Sequence, residues 1–382
     1  MDENERERKE LEKELRGTGE RPARSLGITR RTFLHRSILA GAGSVAAYGW
    51  FPLINTLDLT LGAQAPFKFA WISDNHLYPK DVNTRFVDKA TRAVKDVQAL
   101  NPPADFLIHG GDLAQLGDPV ELDLGSQILK DIKIKRWHIP GEHDWYLDMG
   151  QKWTQLFGQP NWTFDHKGVR FVGLDTVSRG PDYWTAKKMS PKERMGHMAT
   201  LDGSVAGSWA GVGREQLEWL GKTLSSWPKD GPIVVFSHNP LYEYYPPWNF
   251  WVRDWREVQE VLKPYSNVTN IHGHTHQVLY NEIGKMRSIG MLATSWPWPY
   301  APEGVPALTK CMVRVDPGDP FDGVGWSRLT MNASAKVDNQ YMMWRQDILA
   351  DSAVDSGCAD NVNQVLHPRI SDREWPYYGA YK

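Results

Sequence analysis

Phe67-Lys68-Phe69-Ala70-Trp71-Ile72-Ser73-Asp74-Asn75-His76 is a run that reads as a buried strand and ends on residues able to hold a metal ion. Four further segments share the same plan of an apolar strand and then a short polar motif. Asp105–His109 leads into Gly111-Asp112, and Arg136–Pro140 leads into Gly141-Glu142-His143-Asp144. Ile233–Ser237 leads into His238-Asn239-Pro240, and Val268–His272 leads into Gly273-His274-Thr275-His276. Each motif offers carboxylate or imidazole, donors that suit zinc, manganese or iron. In layered α/β sheets such residues project from the strand ends into one crevice. The glycines beside them let the backbone turn sharply and approach closely.

Any one of these motifs alone is weak, because a lone histidine is commonly satisfied by a backbone partner and Gly-Asp pairs are frequent in turns. Five in this order are specific. Val169–Asp175 and Met312–Val315 also read as strands. Asn83–Leu100, Pro119–Lys130, Gly213–Ser226 and Asp254–Lys263 read as helices, with Leu217, Leu220 and Leu224 on one face of the third. The alternation predicts an α/β fold with no internal repeat. Ser178–Val212 is polar, Gly-rich and long for a connector, so it is either functional or mobile.

The five motifs resemble the signature of the calcineurin-like metallophosphoesterase superfamily: D-x-H, G-D, G-N-H-[DE], H and G-H-x-H. Gln216-Leu217-Glu218-Trp219-Leu220 resembles that family's helix before the fourth motif, and Ile233 to Leu241 its strand and His-x-Pro turn. The match covers about residues 67–296. The resemblance implies a four-layer α/β/β/α sandwich of two mixed sheets flanked by helices. It also implies two divalent or trivalent metal ions, with manganese, iron and zinc the candidates. Asp74, His76 and His276 would hold the first, Glu142, His238 and His274 the second, and Asp112 would bridge them. The pair would generate hydroxide to attack a small-molecule phosphate ester, a diester or a monoester. His143 would sit beside the leaving group as proton donor or charge stabiliser. His109 and His272 read as histidines behind the ligands, and His138 as structural.

One residue departs from the signature: Glu142 stands where the family has asparagine. A glutamate still ligates metal, but it adds negative charge beside an incoming anion and loses an N–H donor. Three outcomes are open: a more highly charged metal, a preference for monoanionic diesters, or metal binding without efficient hydrolysis. The last would make the chain an accessory or docking protein of the cell envelope with a protein partner. The aromatic run containing Tyr242, Tyr245 and Trp248 comes after His238 and reads either as a stacking wall for substrate or as a surface loop packing its own rings. Trp145 and Tyr146 have the same two readings, and Trp296-Pro297-Trp298-Pro299, after the last strand, is placed to close the cleft's other side.

The chain has 382 residues, 41% hydrophobic and 24% charged, enough for a sizeable core. A formal charge of −2 indicates neither a nucleic-acid binder nor a strongly basic membrane-surface protein. Cys311 and Cys358 form no metal-binding pattern; they pair as one disulfide or stay as two buried thiols. Thr29-Arg30-Arg31-Thr32-Phe33-Leu34, ahead of the weakly apolar Ser37 to Ile54, resembles a twin-arginine export signal. That implies passage through the export machinery to the periplasm or the outer face of the cytoplasmic membrane. Ala63-Gln64-Ala65 has the form of a cleavage site, but Pro66 comes directly after it, so the segment is either removed or kept as an anchor. By sequence the chain divides into a charged segment (1–28), the signal or anchor (29–65), the metal-binding domain (66–316) and a C-terminal wrapping extension (317–382).

Overall fold

A computed structural model of the chain describes residues 66–145, 147–179, 187–194, 210–244, 250–296, 310–311, 324–331 and 336–344. The strand β1 (Phe67–Ile72) has parallel β2 (Phe106–His109) beside it, and β3 (Lys135–His138) runs parallel to β2. On the other edge of β1 lie antiparallel β11 (Gly325–Met331) and then β12 (Val337–Met343), which completes a five-stranded mixed sheet. The second sheet has seven strands in the order β10-β8-β9-β7-β6-β5-β4. Its middle is parallel: β5 (Val169–Gly173), β6 (Ile233–Ser237), β7 (Val268–His272) and β9 (Met286–Gly290). Antiparallel β4 (Trp162–His166), β8 (Leu279–Ile283) and β10 (Lys310–Cys311) lie toward its edges.

The near-continuous apolar runs of the central strands have a direct cause: both faces of each sheet are covered. Phe67, Phe69 and Trp71 face inward against Phe171, Phe236 and Ile271 of the second sheet. The alternate residues Ala70 and Ile72 face outward onto Val87, Ala90 and Val94 of helix α1 (Thr84–Gln98). On the far side, Val172 and Val235 pack against Leu220 and Leu224 of a helix over Arg214–Ser225 and Val258 and Leu262 of another over Trp255–Leu262. Helix, sheet, sheet, helix is the four-layer α/β/β/α order expected from the sequence. Helix α2 (Pro119–Leu129) starts on a capping box, in which Asp118 accepts from Val120 N–H at 2.8 Å and Glu121 reaches back. Two short helices, α3 (Glu142–Trp145) and α4 (Gln151–Phe157), come after β3, which makes the two later helices α5 and α6.

One difference from the sequence reading stands out. The hairpin β11–β12 lies in the stretch assigned to the wrapping extension, yet it forms ladders in the first sheet. Its inward positions include Ser327 and Asn339, both buried polar residues that break the apolar alternation. The expected strand Met312–Val315 lies outside the described residues, as do the export segment, Tyr146 and Cys358. Among the described residues no helix is long and apolar enough to cross a membrane.

Candidate metal centre

The five motifs meet because the turns that carry them are stitched together through their backbones. Asp74 N–H donates to Gly111 O and His76 N–H to Asp112 O, both at 2.9 Å, which joins the turns after β1 and β2. Gly273 N–H donates to His238 O at 3.1 Å, joining the turns after β6 and β7. Ser295, beyond β9, donates its N–H (3.1 Å) and its hydroxyl (2.5 Å) to Asp74 O, and its own carbonyl takes the buried Lys89 ammonium of α1. The turns are tight in an unusual way. Asp74, His76, Asp112, His274 and His276 all have positive φ, between 47° and 64°, where residues other than glycine are rare. Gly141 lies so close to Asp112 that a Cβ there would fall 2.0 Å from Asp112 Oδ1.

Two clusters of ligand-type side chains result. Asp74, His76 and His276 form one, and Asp112, Glu142, His238 and His274 the other; within each, the ligand atoms lie within 4.8 Å of one another. Asp112 Oδ2 connects them, 3.5 Å from His76 Nε2 and 3.1 Å from His238 Nε2. In the first cluster His276 Nε2 is 3.3 Å from Asp74 Oδ1 and 3.0 Å from His76 Nε2. In the second, Glu142 places Oε1 2.8 Å from His274 Nδ1 and Oε2 3.2 Å from His238 Nε2. Backbone carbonyls fix two of the rings: His238 Nδ1–H donates to Gly110 O (2.7 Å) and His276 Nδ1–H to Trp296 O (2.8 Å), which aims each Nε2 inward. His143 lies between the clusters, its ring edge-on to His76, with Nδ1–H donating to Gln115 O.

Whether this pocket fits metal ions can be tested on its polar atoms. Asp74 Oδ2, Glu142 Oε2, His238 Nε2 and His274 Nε2 are buried with no aligned hydrogen-bond partner. Buried polar atoms are seldom left so, and orphaned acceptors converging from four turns are what cations would satisfy. The electrostatics agree. Burial and then the Glu142 charge push the Asp112 carboxyl well above its ordinary range. Burial opposes ionisation of Glu142 as well, but His274 and His238 hold its carboxyl well below the ordinary value. Against the same burial, His276 and His238 bring Asp74 down to about 2. His238 is driven well above the usual histidine range by Asp112 and Glu142 despite its burial. Without metal the imidazoles thus stand in as the cations that hold Glu142 and Asp74 ionised, a role that metal ions among the carboxylates would take over, leaving the imidazoles neutral to ligate.

The structure thus brings together Asp74, His76, Asp112, Glu142, His143, His238, His274 and His276. It does not bring Tyr242 to the opening. Tyr242 is 4% exposed and turns inward, edge-on to His272 with its hydroxyl 3.4 Å from His272 Nε2, so it presents no open ring to a substrate. Tyr245 and Trp248 lie outside the described residues. From the same loop it is Phe250 that reaches the site, edge-on to His274 at 4.9 Å. Trp296 covers the other side, its ring 4.1 Å from His76 and 4.8 Å from His276. His109 stands behind the ligands: Nε2–H donates to Asn75 Oδ1 (2.7 Å), and burial lowers its pKa to about 3. Asp144 ties two turns, accepting from Ala114 N–H (2.9 Å) and Gly141 N–H (3.1 Å). The sequence reading missed the carbonyls of Gly110, Gln115 and Trp296, since a backbone acceptor leaves no residue-type signal.

A crevice of carboxylates and imidazoles at the strand ends of an α/β/β/α sandwich defines a metal-dependent phosphoesterase. The chain belongs to the calcineurin-like phosphoesterase family, whose model matches residues 67–278. It is 25% identical over 225 residues to the "Probable glycerophosphodiester phosphodiesterase GpdQ" of Arcobacter nitrofigilis, covering 56% of this chain and 74% of that one. It is 26% identical over 227 residues to the 3′,5′-cyclic adenosine monophosphate phosphodiesterase CpdA of Haemophilus influenzae, covering 56% and 72%. Among solved structures, a dimetal phosphatase from Danio rerio aligns with a TM-score of 0.47 at 16% identity, over 69% of this chain and 92% of that one.

Proposed function

We propose that the chain is an exported phosphoesterase whose two metal ions, divalent or trivalent, sit one in each cluster and share Asp112. The observation that carries this reading is the pair of adjoining clusters with His143 between them. Bound there, two ions supply a water acidified to hydroxide and a clamp on the phosphoryl oxygens. The chain's own residues do the rest. Asp74, His76 and His276 would hold one ion and Glu142, His238 and His274 the other, with Asp112 within reach of both. As the water oxygen bonds to phosphorus, the bond to the leaving oxygen breaks and that oxygen needs a proton. His143, tethered to Gln115 O through Nδ1–H, is placed to give one from Nε2. Burial lowers its pKa, so the proton on Nε2 is present only when an anion beside the ring, such as the ester, favours it. Manganese, iron and zinc suit the mixed imidazole and carboxylate donors. Export rests on Arg30-Arg31 and the weakly apolar stretch after them.

The deciding experiment is turnover of an aryl phosphodiester and an aryl phosphomonoester with manganese, zinc and iron in turn. His143→Ala is expected to lose turnover by about 10²-fold or more while keeping both ions by elemental analysis. A protein that holds two ions and turns over neither ester with any metal would move the reading to an envelope docking protein. Export is tested separately: Arg30→Lys with Arg31→Lys should leave the protein in the cytoplasm, and unchanged delivery would overturn that part.

A further inference from the structure

We infer that Glu142 selects the charge of the substrate, favouring esters with one negative charge at phosphorus over esters with two. This rests on the phosphoesterase reading above and adds the substrate class to it. Sequence alone leaves open whether a glutamate in this turn points into the pocket or away from it. The structure answers that: Glu142 is 7% exposed, with one carboxylate oxygen 2.8 Å from His274 Nδ1 and the other 3.2 Å from His238 Nε2. Gly141 before it packs against Asp112, and Asp144 after it is tied to two neighbouring turns, so the carboxylate is held inward. Its ion pairs among the described residues are to imidazoles alone, with no lysine or arginine to neutralise it.

The pocket therefore contains three carboxylates, Asp74, Asp112 and Glu142. Two divalent ions set against them leave one net positive charge before a hydroxide is counted, and an amide at position 142 would leave one more. The unit of charge that Glu142 adds repels a monoester dianion twice as strongly as a diester monoanion. The ligand atoms of the second cluster lie within 4.8 Å of one another, so a phosphoryl group there feels the Glu142 charge at about 5 Å. One extra unit of substrate charge at that separation changes affinity about fourfold at the dielectric of water and about 270-fold at an effective dielectric of ~20.

The test compares metal-loaded wild-type protein with Glu142→Gln, which keeps the shape and removes the charge, and with Glu142→Asn. Two metal ions per chain are verified first, and binding of inorganic phosphate and of dimethyl phosphate is then measured calorimetrically at pH 8. Removing the charge should tighten dimethyl phosphate by about fourfold or more and phosphate by about that factor again, so that the ratio of the two affinities moves about fourfold or more. The diester-to-monoester ratio of kcat/KM should fall by the same factor. Equal shifts for both probes, or none, would refute the inference. Should neither variant hold two ions, the wild-type protein decides: faster turnover of an aryl monoester than of the matching methyl aryl diester overturns it. Charge-selective binding with no turnover of either ester would instead sink the phosphoesterase reading and leave the role of Glu142 standing.

Discussion

A single methyl group at position 141 should disable this site. Built on Gly141, a Cβ would lie 2.0 Å from Asp112 Oδ1 and 2.6 Å from both Asp112 Cγ and Asp112 N. Ordinary contact begins at 3.4 Å, so the carboxylate oxygen must retreat by about 1.4 Å and the backbone nitrogen by about 0.8 Å. Neither can do so alone. Asp112 Oδ1 accepts from His143 N–H at 3.1 Å, and Asp112 O accepts from His76 N–H at 2.9 Å. Moving Asp112 therefore displaces ligands of both clusters and the candidate proton donor together. Overpacking costs about 1–3 kcal/mol, and a buried hydrogen bond left unmade about 1–3 kcal/mol more. In a domain of this size that lowers Tm by roughly 5–15 °C. A displacement above 1 Å at a bridging ligand should reduce turnover by about 10²-fold or more. Gly141→Ala would be tracked by thermal unfolding with and without manganese, elemental analysis and ester turnover. Gly158→Ala is the control: unlike Gly141 it has positive φ, and nothing lies within 4 Å of the added carbon. It should show backbone strain of about 1–3 kcal/mol and keep both ions. Gly141→Ala with two ions and wild-type turnover would refute the reasoning.

Four further outcomes are expected. His109 has a folded pKa of about 3 against an ordinary 6.5, so below pH 6.5 the unfolded chain takes a proton that the folded one refuses, and stability falls down to about pH 3. Urea unfolding should lose about 2 kcal/mol from this residue between pH 7 and pH 5, a loss His109→Gln should remove. Glu121 Oε2 accepts from Leu116 N–H (2.8 Å) and Asp118 N–H (3.3 Å) and so shapes the turn whose Gln115 carbonyl holds His143. Glu121→Gln should lower kcat about tenfold with KM and metal content unchanged. Trp296→Ala keeps the carbonyl on His276 but uncovers both rings, and should weaken metal affinity about tenfold in a chelator competition. Chelation of wild-type protein should lower Tm, because ions that bind the folded chain alone stabilise it by mass action.

The ligand set was legible because chemistry and fold coincide at strand ends: an apolar run buried on both faces is conspicuous, and the residues just beyond its end must turn into the crevice. The same feature made β1, β2, β5, β6 and β7 readable. Elements with mixed patterns were not. Trp162–His166 alternates half-buried and exposed residues at an edge, and β11–β12 put Ser327 and Asn339 where apolar side chains are expected. Aromatic residues misled in a different way. Tyr242 and Phe250 lie in one loop and look alike in sequence, yet one packs on His272 and the other on His274. Which ring faces the site depends on the path of the backbone between them, and composition does not carry that path.

The spacing of the motifs is itself a backbone statement. In Asp74-Asn75-His76 and His274-Thr275-His276 the first and third residues have positive φ and the middle one does not. Two left-handed residues separated by one ordinary residue coil the chain tightly while both outer side chains reach the metal pocket; a strand also sets residues i and i+2 on one face, but only by running on straight, and a helix does not. Each such residue costs roughly 1–2 kcal/mol, and with Asp112 there are five. About 5–10 kcal/mol is comparable to the whole stability of a typical domain. Strain on that scale persists only where the surroundings over-determine it. The surroundings here are the hydrogen bonds that tie Asp74 to Gly111 and Ser295, His76 to Asp112, and Gly273 to His238. The two sheets supply the rigid frame, the stitched turns hold the ligands against their conformational preference, and cations bound there would offset what strain and like charge leave over.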